Sequence, residues 1–199
     1  MFRSNSLPKL MAMALIAIAV TACSTYKDPA EEAVATIEEK LAGIHAQAEK
    51  YLPTQLASVQ AQVDELKAGL EQKEYEGVVA TAPRVLKAIN GLIVDSALAK
   101  DSFNRKMQRD WADFATSMPE VFASVDKQII RYTSRGQLPK GVSREAFKET
   151  VATFDAAKAS WAEAAAAGNE GKYEQAVTRT NEVKQVVNTV MQTLGMSTG

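Results

Sequence analysis

The sequence predicts an all-α protein, with antiparallel helical hairpins forming a bundle of about six helices, and three observations carry that expectation. Apolar residues return at alternating steps of three and four along most of the stretch from Val34 to Leu194, which places them on one face of a helix. Apolar and polar residues nowhere alternate over a useful length, so no sheet is expected. Prolines, glycines and short polar side chains, the residues that start and stop helices, sit between the apolar stripes.

The N-terminus is of another kind. Arg3 and Lys9 supply positive charge, Leu10 to Val20 is an uninterrupted apolar run, and small Thr21 and Ala22 follow. That is the anatomy of an export signal. The run is about half of the ~20 residues needed to span a bilayer, so it targets and does not span. Val20-Thr21-Ala22-Cys23 then resembles the lipobox of the bacterial lipoproteins: an aliphatic residue, two small residues and a cysteine. The likeness covers only about the first 24 residues. It implies that residues 1–22 are a signal peptide removed by a signal peptidase. It also implies a diacylglycerol on the Cys23 thiol and an acyl chain such as palmitate on the new amino group. Ser24 in place of Asp implies sorting to the outer membrane of a Gram-negative cell, facing the periplasm. Several chains make a durable anchor, because each buried methylene contributes ~0.8 kcal/mol and one chain alone binds marginally. Cys23 is the only cysteine, so no disulfide framework is possible and lipid attachment accounts for a thiol that would otherwise be unpaired.

Residues 23–28 are then the lipidated cysteine and a short polar tether, and residues 29–199 are expected to form a single helical domain with room for a real core. Without residues 1–22 the chain has 21 basic and 24 acidic side chains, too mild a balance to argue for nucleic acid. The charge is uneven: −5 over residues 24–97, +4 over residues 98–148 and −2 over residues 149–199. Solvated helix faces explain most such asymmetry, though it can mark a binding face.

The first helix is expected to open at Asp28-Pro29, with Asp as the cap and Glu31 and Glu32 near the positive end of the dipole. Its stripe is Val34, Ile37, Leu41, Ile44, Ala48 and Tyr51. Pro53 breaks or kinks it, and Leu56, Val59, Val63, Leu66 and Leu70 resume the pattern. A polar turn at Glu71 to Glu74 leads to a helix on Val78, Val85, Ile89 and Leu92, where Pro83 predicts a kink or, alternatively, a start near Thr81. Asp101 or Ser102 is a candidate cap for an aromatic stripe of Phe103, Met107, Trp111 and Phe114. Ser117 before Pro119 and Glu120 predicts another start, for a helix on Phe122, Val125, Ile129 and Tyr132. Arg135 to Val142, with two glycines and Pro139, should be the longest loop, and Ser143 should cap a helix bearing Phe147, Phe154 and Trp161. Gly168 to Gly171 turns the chain into a last helix from about Lys172 to Leu194, stopped by Gly195.

The chain echoes itself. Shifted by 98 residues, Leu66 to Val79 falls on Ala164 to Val177 without a gap, each with a helix, a polar turn, then Tyr-Glu. Two related hairpins flanking an aromatic-rich middle segment are the simplest account. Residues 168–177 also resemble the helix opening of a tetratricopeptide repeat over about ten residues, but the period of 34 that such arrays need is missing.

The chemical inventory is thin. His45 is the only histidine, with no second His or free Cys to complete a zinc site and no elbow to present a serine. The paired carboxylates fall at helix-surface spacing, and no glycine-rich phosphate loop follows a strand. No catalytic residue, metal or cofactor is therefore expected, and the protein is read as no enzyme. Two features suit binding. A cationic group, Arg105, Lys106, Arg109, Arg131, Arg135, Lys140 and Arg144, could meet a protein partner or anionic lipid. An aromatic set, Phe103, Trp111, Phe114, Phe122, Phe147, Phe154 and Trp161, is most simply core, the sharper alternative being a cavity for a ligand. The expected role is that of a lipid-anchored envelope lipoprotein whose helices engage another envelope protein. The alternative is a carrier or sensor of an apolar or anionic small ligand.

Overall fold

The computed structural model describes residues 25–197. The expected signal peptide, Cys23 and Ser24 lie outside the described residues. Within them the chain is all-α: α1 (Lys27–Tyr51), α2 (Pro53–Glu71), α3 (Tyr75–Arg135), α4 (Arg144–Asn169) and α5 (Tyr173–Thr193). About six helices become five among the described residues, because α3 runs through both expected starts. Asp101, Ser102 and Ser117 all lie inside it. So does Pro83, which excludes a start near Thr81. Ser117 and Pro119 carry the local signature of a helix opening, but Trp111, Met118, Phe122 and Val125 bury one uninterrupted face, and that burial overrides the signal.

Contacts divide the chain between Asp101 and Ser102, inside α3, into two compact units. In the first, α1 opens one residue ahead of Asp28. Tyr26 is its N-cap and makes no side-chain bond, while Asp28 lies in the first turn. Pro29 is tolerated there because the first N–H groups of a helix lack partners anyway. The break at Pro53 is as expected: Leu52 alone separates the helices, its N–H reaching Ala48 O (2.7 Å), and Pro53 takes the first position of α2. Lys67 pairs with Glu38 at 2.6 Å, and both stand about equally far from the break, so α1 and α2 run antiparallel. Ile37, Val63, Val85 and Ile89 are the fully buried centre of this unit, shared by α1, α2 and the first part of α3.

The second unit is built from the rest of α3 with α4 and α5. Ser143 caps α4 as the sequence predicts, its hydroxyl accepting the Ala146 N–H at 3.1 Å. Gly195 (φ 72°) ends α5, with Met196 N–H returning to Met191 O at 2.9 Å. Arg179 of α5 pairs with Glu163 of α4, both equally far from the turn, which is again antiparallel. Aromatic rings fill the interior: Trp111 and Trp161 lie 5.4 Å apart, Phe122 and Phe154 5.8 Å, and Phe122 and Trp161 6.1 Å.

The echo in the sequence is an echo in the structure. At the end of α2, Gln72 N–H donates to Ala68 O (3.0 Å), Lys73 N–H to Leu70 O (3.1 Å) and Glu74 N–H to Gly69 O (2.9 Å). At the end of α4, 98 residues on, Glu170 N–H donates to Ala166 O (3.1 Å), Gly171 N–H to Gly168 O (3.0 Å) and Lys172 N–H to Ala167 O (2.9 Å). Nine buried positions coincide at the same shift, from Leu56 and Phe154 to Ser96 and Leu194. The preceding helices correspond at a shift of 81, which matches Ala30 with Trp111, Ile37 with Met118, Leu41 with Phe122 and Tyr51 with Tyr132. Each unit is therefore one three-helix pattern, and the second holds 17 more residues around the junction of its first two helices, shared between a longer loop and longer helix ends.

Candidate functional site

The charged inventory is a surface inventory. The buried polar side chains among the described residues are Ser96 and Thr180, and neither titrates. Both hydroxyls are satisfied: Thr180 donates to Ala176 O (2.7 Å), while Ser96 donates to Ile93 O (3.1 Å) and accepts from Gln47 Nε2 (3.2 Å). His45 sits half-exposed on α1, its Nδ1 3.8 Å from Glu49 one turn on. No group of three or more His, Cys, Asp or Glu that could hold a metal occurs among the described residues.

Of the aromatic set, Trp111, Phe122 and Phe154 are buried, while Phe103, Phe114, Phe147 and Trp161 are half-buried. The rings of Trp111, Phe122, Phe154 and Trp161 pack against one another, and Phe147 meets Tyr132. The groove of about 820 Å³ in the second unit takes none of them as lining; Asn104, Met107, Lys172, Tyr173, Arg179 and Glu182 line it instead.

The cationic group splits in two. Arg105, Lys106 and Arg109 lie on α3 among Asp101, Asp110 and Asp113, and Lys106 pairs with Asp110 one turn on. Charge there nearly cancels. Arg131 follows Arg109 by 22 residues on the same helix, roughly 33 Å at ~1.5 Å per residue. Arg131, Arg135, Lys140 and Arg144 instead gather at one tip of the second unit, where α3 ends and α4 begins.

The tip is a built structure. Gly136 (φ 60°) and Gly141 (φ 79°) take left-handed conformations, and Gln137 N–H closes α3 on Tyr132 O (3.1 Å). Val142 N–H bonds Pro139 O (3.1 Å), and Pro139 is buried. Beneath the loop the Tyr132 ring meets the Phe147 edge at 6.0 Å, and its hydroxyl donates to Leu194 O at 3.1 Å. The loop therefore holds its outward residues in place. Ile130 is 64% exposed and Leu138 40% exposed.

Sequence reasoning missed four members of this tip. Lys127 extends Arg131 and Arg135 by one turn, and Lys148 extends Arg144, so four-residue spacing was the available signal. Ile130 and Leu138 carried none: Ile129 and Ile130 are adjacent, and either could have faced inward. Over residues 127–148 six basic side chains stand against Glu145 alone.

No family model, no curated protein and no solved structure matches this chain.

Proposed function

We propose that this chain is a lipid-anchored lipoprotein of the Gram-negative envelope, held in the outer membrane through Cys23 and facing the periplasm, where it serves as a non-enzymatic protein-interaction or structural module. The address rests on the likeness of residues 1–24 to lipoprotein signals. The role rests on one observation: the described residues form helices whose buried polar groups are two satisfied hydroxyls, with every charged side chain left at an outer face. Such a chain offers surfaces.

Intact mass of protein purified from membranes, beside a Cys23→Ser variant, tests the address. An acylated N-terminal Cys23, lost together with membrane association in the variant, supports it. An unmodified chain in the soluble fraction overturns it. Crosslinking in intact envelopes tests the role, and recovery of no specific partner counts against a protein-interaction module.

The groove beside Lys172 and Arg179 favours a second reading, a carrier or sensor of an apolar or anionic small ligand. Native mass spectrometry of the chain would show a retained small molecule, and a bare mass under gentle conditions would remove this reading.

A further inference from the structure

We infer that the tip of the second unit is a docking surface for an anionic phospholipid bilayer, with Arg131, Arg135, Lys140 and Arg144 meeting headgroup phosphates around the exposed side chains of Ile130 and Leu138. The inference adds to the proposed anchoring and does not depend on acylation of Cys23.

Comparison of the two units isolates the tip. The first unit joins its helices through Leu52 alone, so closing this hairpin requires no loop. The second unit holds 17 further residues around the same junction, seven of them lengthening the loop and the rest extending the adjoining ends of α3 and α4. Insertions of this kind in repeated units map to loops on one face, often the binding face. This one carries four of the six local cations: Arg135, Lys140, Arg144 and Lys148.

Helix electrostatics also separates support of the fold from another use. Arg135 lies in the last turn of α3, where a cation favours the helix dipole, and Arg131 lies one turn before it. Arg144 opens α4, where the dipole opposes it, and Lys148 lies one turn further in. None of these four, nor Lys140, takes part in an ion pair among the described residues. No ion pair among the described residues engages the α4 cations, which leaves them open to an external anion.

Ile130 selects a bilayer over other polyanions. At 100° per residue it shares an arc of about 140° with Lys127, Arg131 and Arg135, opposite Ile129 and Tyr132, which face the core. Exposed aliphatic side chains flanked by Lys and Arg form the pattern that lies in a membrane interface: charge is drawn to the anionic surface and apolar groups enter below it. An acidic protein surface matches the charge and leaves Ile130 and Leu138 wet.

The test uses the full chain with Cys23→Ser and Leu138→Cys, labelled at position 138 with a nitrobenzoxadiazole probe. Vesicles of phosphatidylcholine alone are compared with vesicles containing phosphatidylglycerol. The expected result is a blue shift and quenching by brominated acyl chains on the anionic vesicles only. Replacing Arg131, Arg135, Lys140 and Arg144 with Gln moves the titration to higher lipid by at least ~10-fold, since each cation near such a surface contributes roughly five-fold. Arg144→Glu serves as the folding control, because it relieves the dipole of α4: helical circular dichroism is retained while vesicle binding weakens. A probe that stays in water on phosphatidylglycerol, or an unchanged titration in the four-Gln chain, overturns the proposal. So does an equal blue shift with polyglutamate and no lipid, which assigns the tip to an acidic protein.

Discussion

At Gly168 the backbone of α4 runs against the Trp111 indole so closely that a Cβ there would overlap the ring. Gly168→Ala must push Trp111 out of place in a filled interior. The expected cost is about 1–3 kcal/mol, read from the denaturant midpoint by far-ultraviolet circular dichroism. The repeated turn provides a matched pair of tests. Lys73 holds φ 63° with a side chain, and Gly171 holds φ 77° without one. Lys73→Gly should stabilise the chain by up to about 1 kcal/mol, and Gly171→Lys should destabilise it by a similar amount. If both substitutions destabilise, the two turns are not equivalent. The sequence made the Gly168–Gly171 turn legible because glycine, asparagine and charge crowd into four residues. It hid the contact with Trp111, since nothing in a lone glycine says which distant ring lies over it.

Among the elements, α3 departs most from the sequence pattern. Its buried face keeps one register from Val78 to Val125, whereas the punctuation at Asp101, Ser102, Ser117 and Pro119 suggests separate helices. Local signals report the preference of a few residues, and the apolar stripe reports where they are buried. Here the stripe prevails. Pro83 is exposed within the helix and leaves the Val79 carbonyl without its usual donor. Pro83→Ala should therefore raise stability, by as much as about 3 kcal/mol if the helix is otherwise unchanged. A lower midpoint for the alanine chain would mean that the proline shapes α3 in a way the core requires. On α4, Lys158 is held above its ordinary pKa of 10.5, first by its hydrogen bond to Asp155 (3.0 Å), then by Asp126 (3.1 Å), against partial desolvation. A raised pKa means stability that is fully present below 10.5 and is lost as pH climbs through the higher folded value. Lys158→Gln should thus cost a roughly constant 0.2–1 kcal/mol near neutrality, and the gap to the parent chain should close in strong alkali.

For the whole molecule, duplication is the organising fact. The sequence showed it across fourteen residues, Leu66 to Val79, where both turn and flanking helices match. The rest of the match was hidden because side chains of different size occupy equivalent sites: Leu41 against Phe122, Ala30 against Trp111, Leu56 against Phe154. Burial is preserved there while chemistry is not, and burial is invisible to residue-by-residue comparison. The seven expected cations were legible as residues, but their division into a balanced stretch and a basic tip depends on the unbroken length of α3. Each unit has its own buried cluster. Ile37→Ala should cost about 2–5 kcal/mol and speed amide exchange through α1, α2 and residues 75–101, the elements that share its cluster. Slow exchange persisting in those segments would show that Ile37 is not central to that cluster. The unequal share of aromatics between the halves also has an optical consequence. The chain has two tryptophans, Trp111 and Trp161, and both lie beyond Ser102 with their rings nearly touching. Selective indole excitation therefore illuminates the second unit and leaves the first dark, so the native chain arrives with one half already labelled by nature and the other free to take a dye.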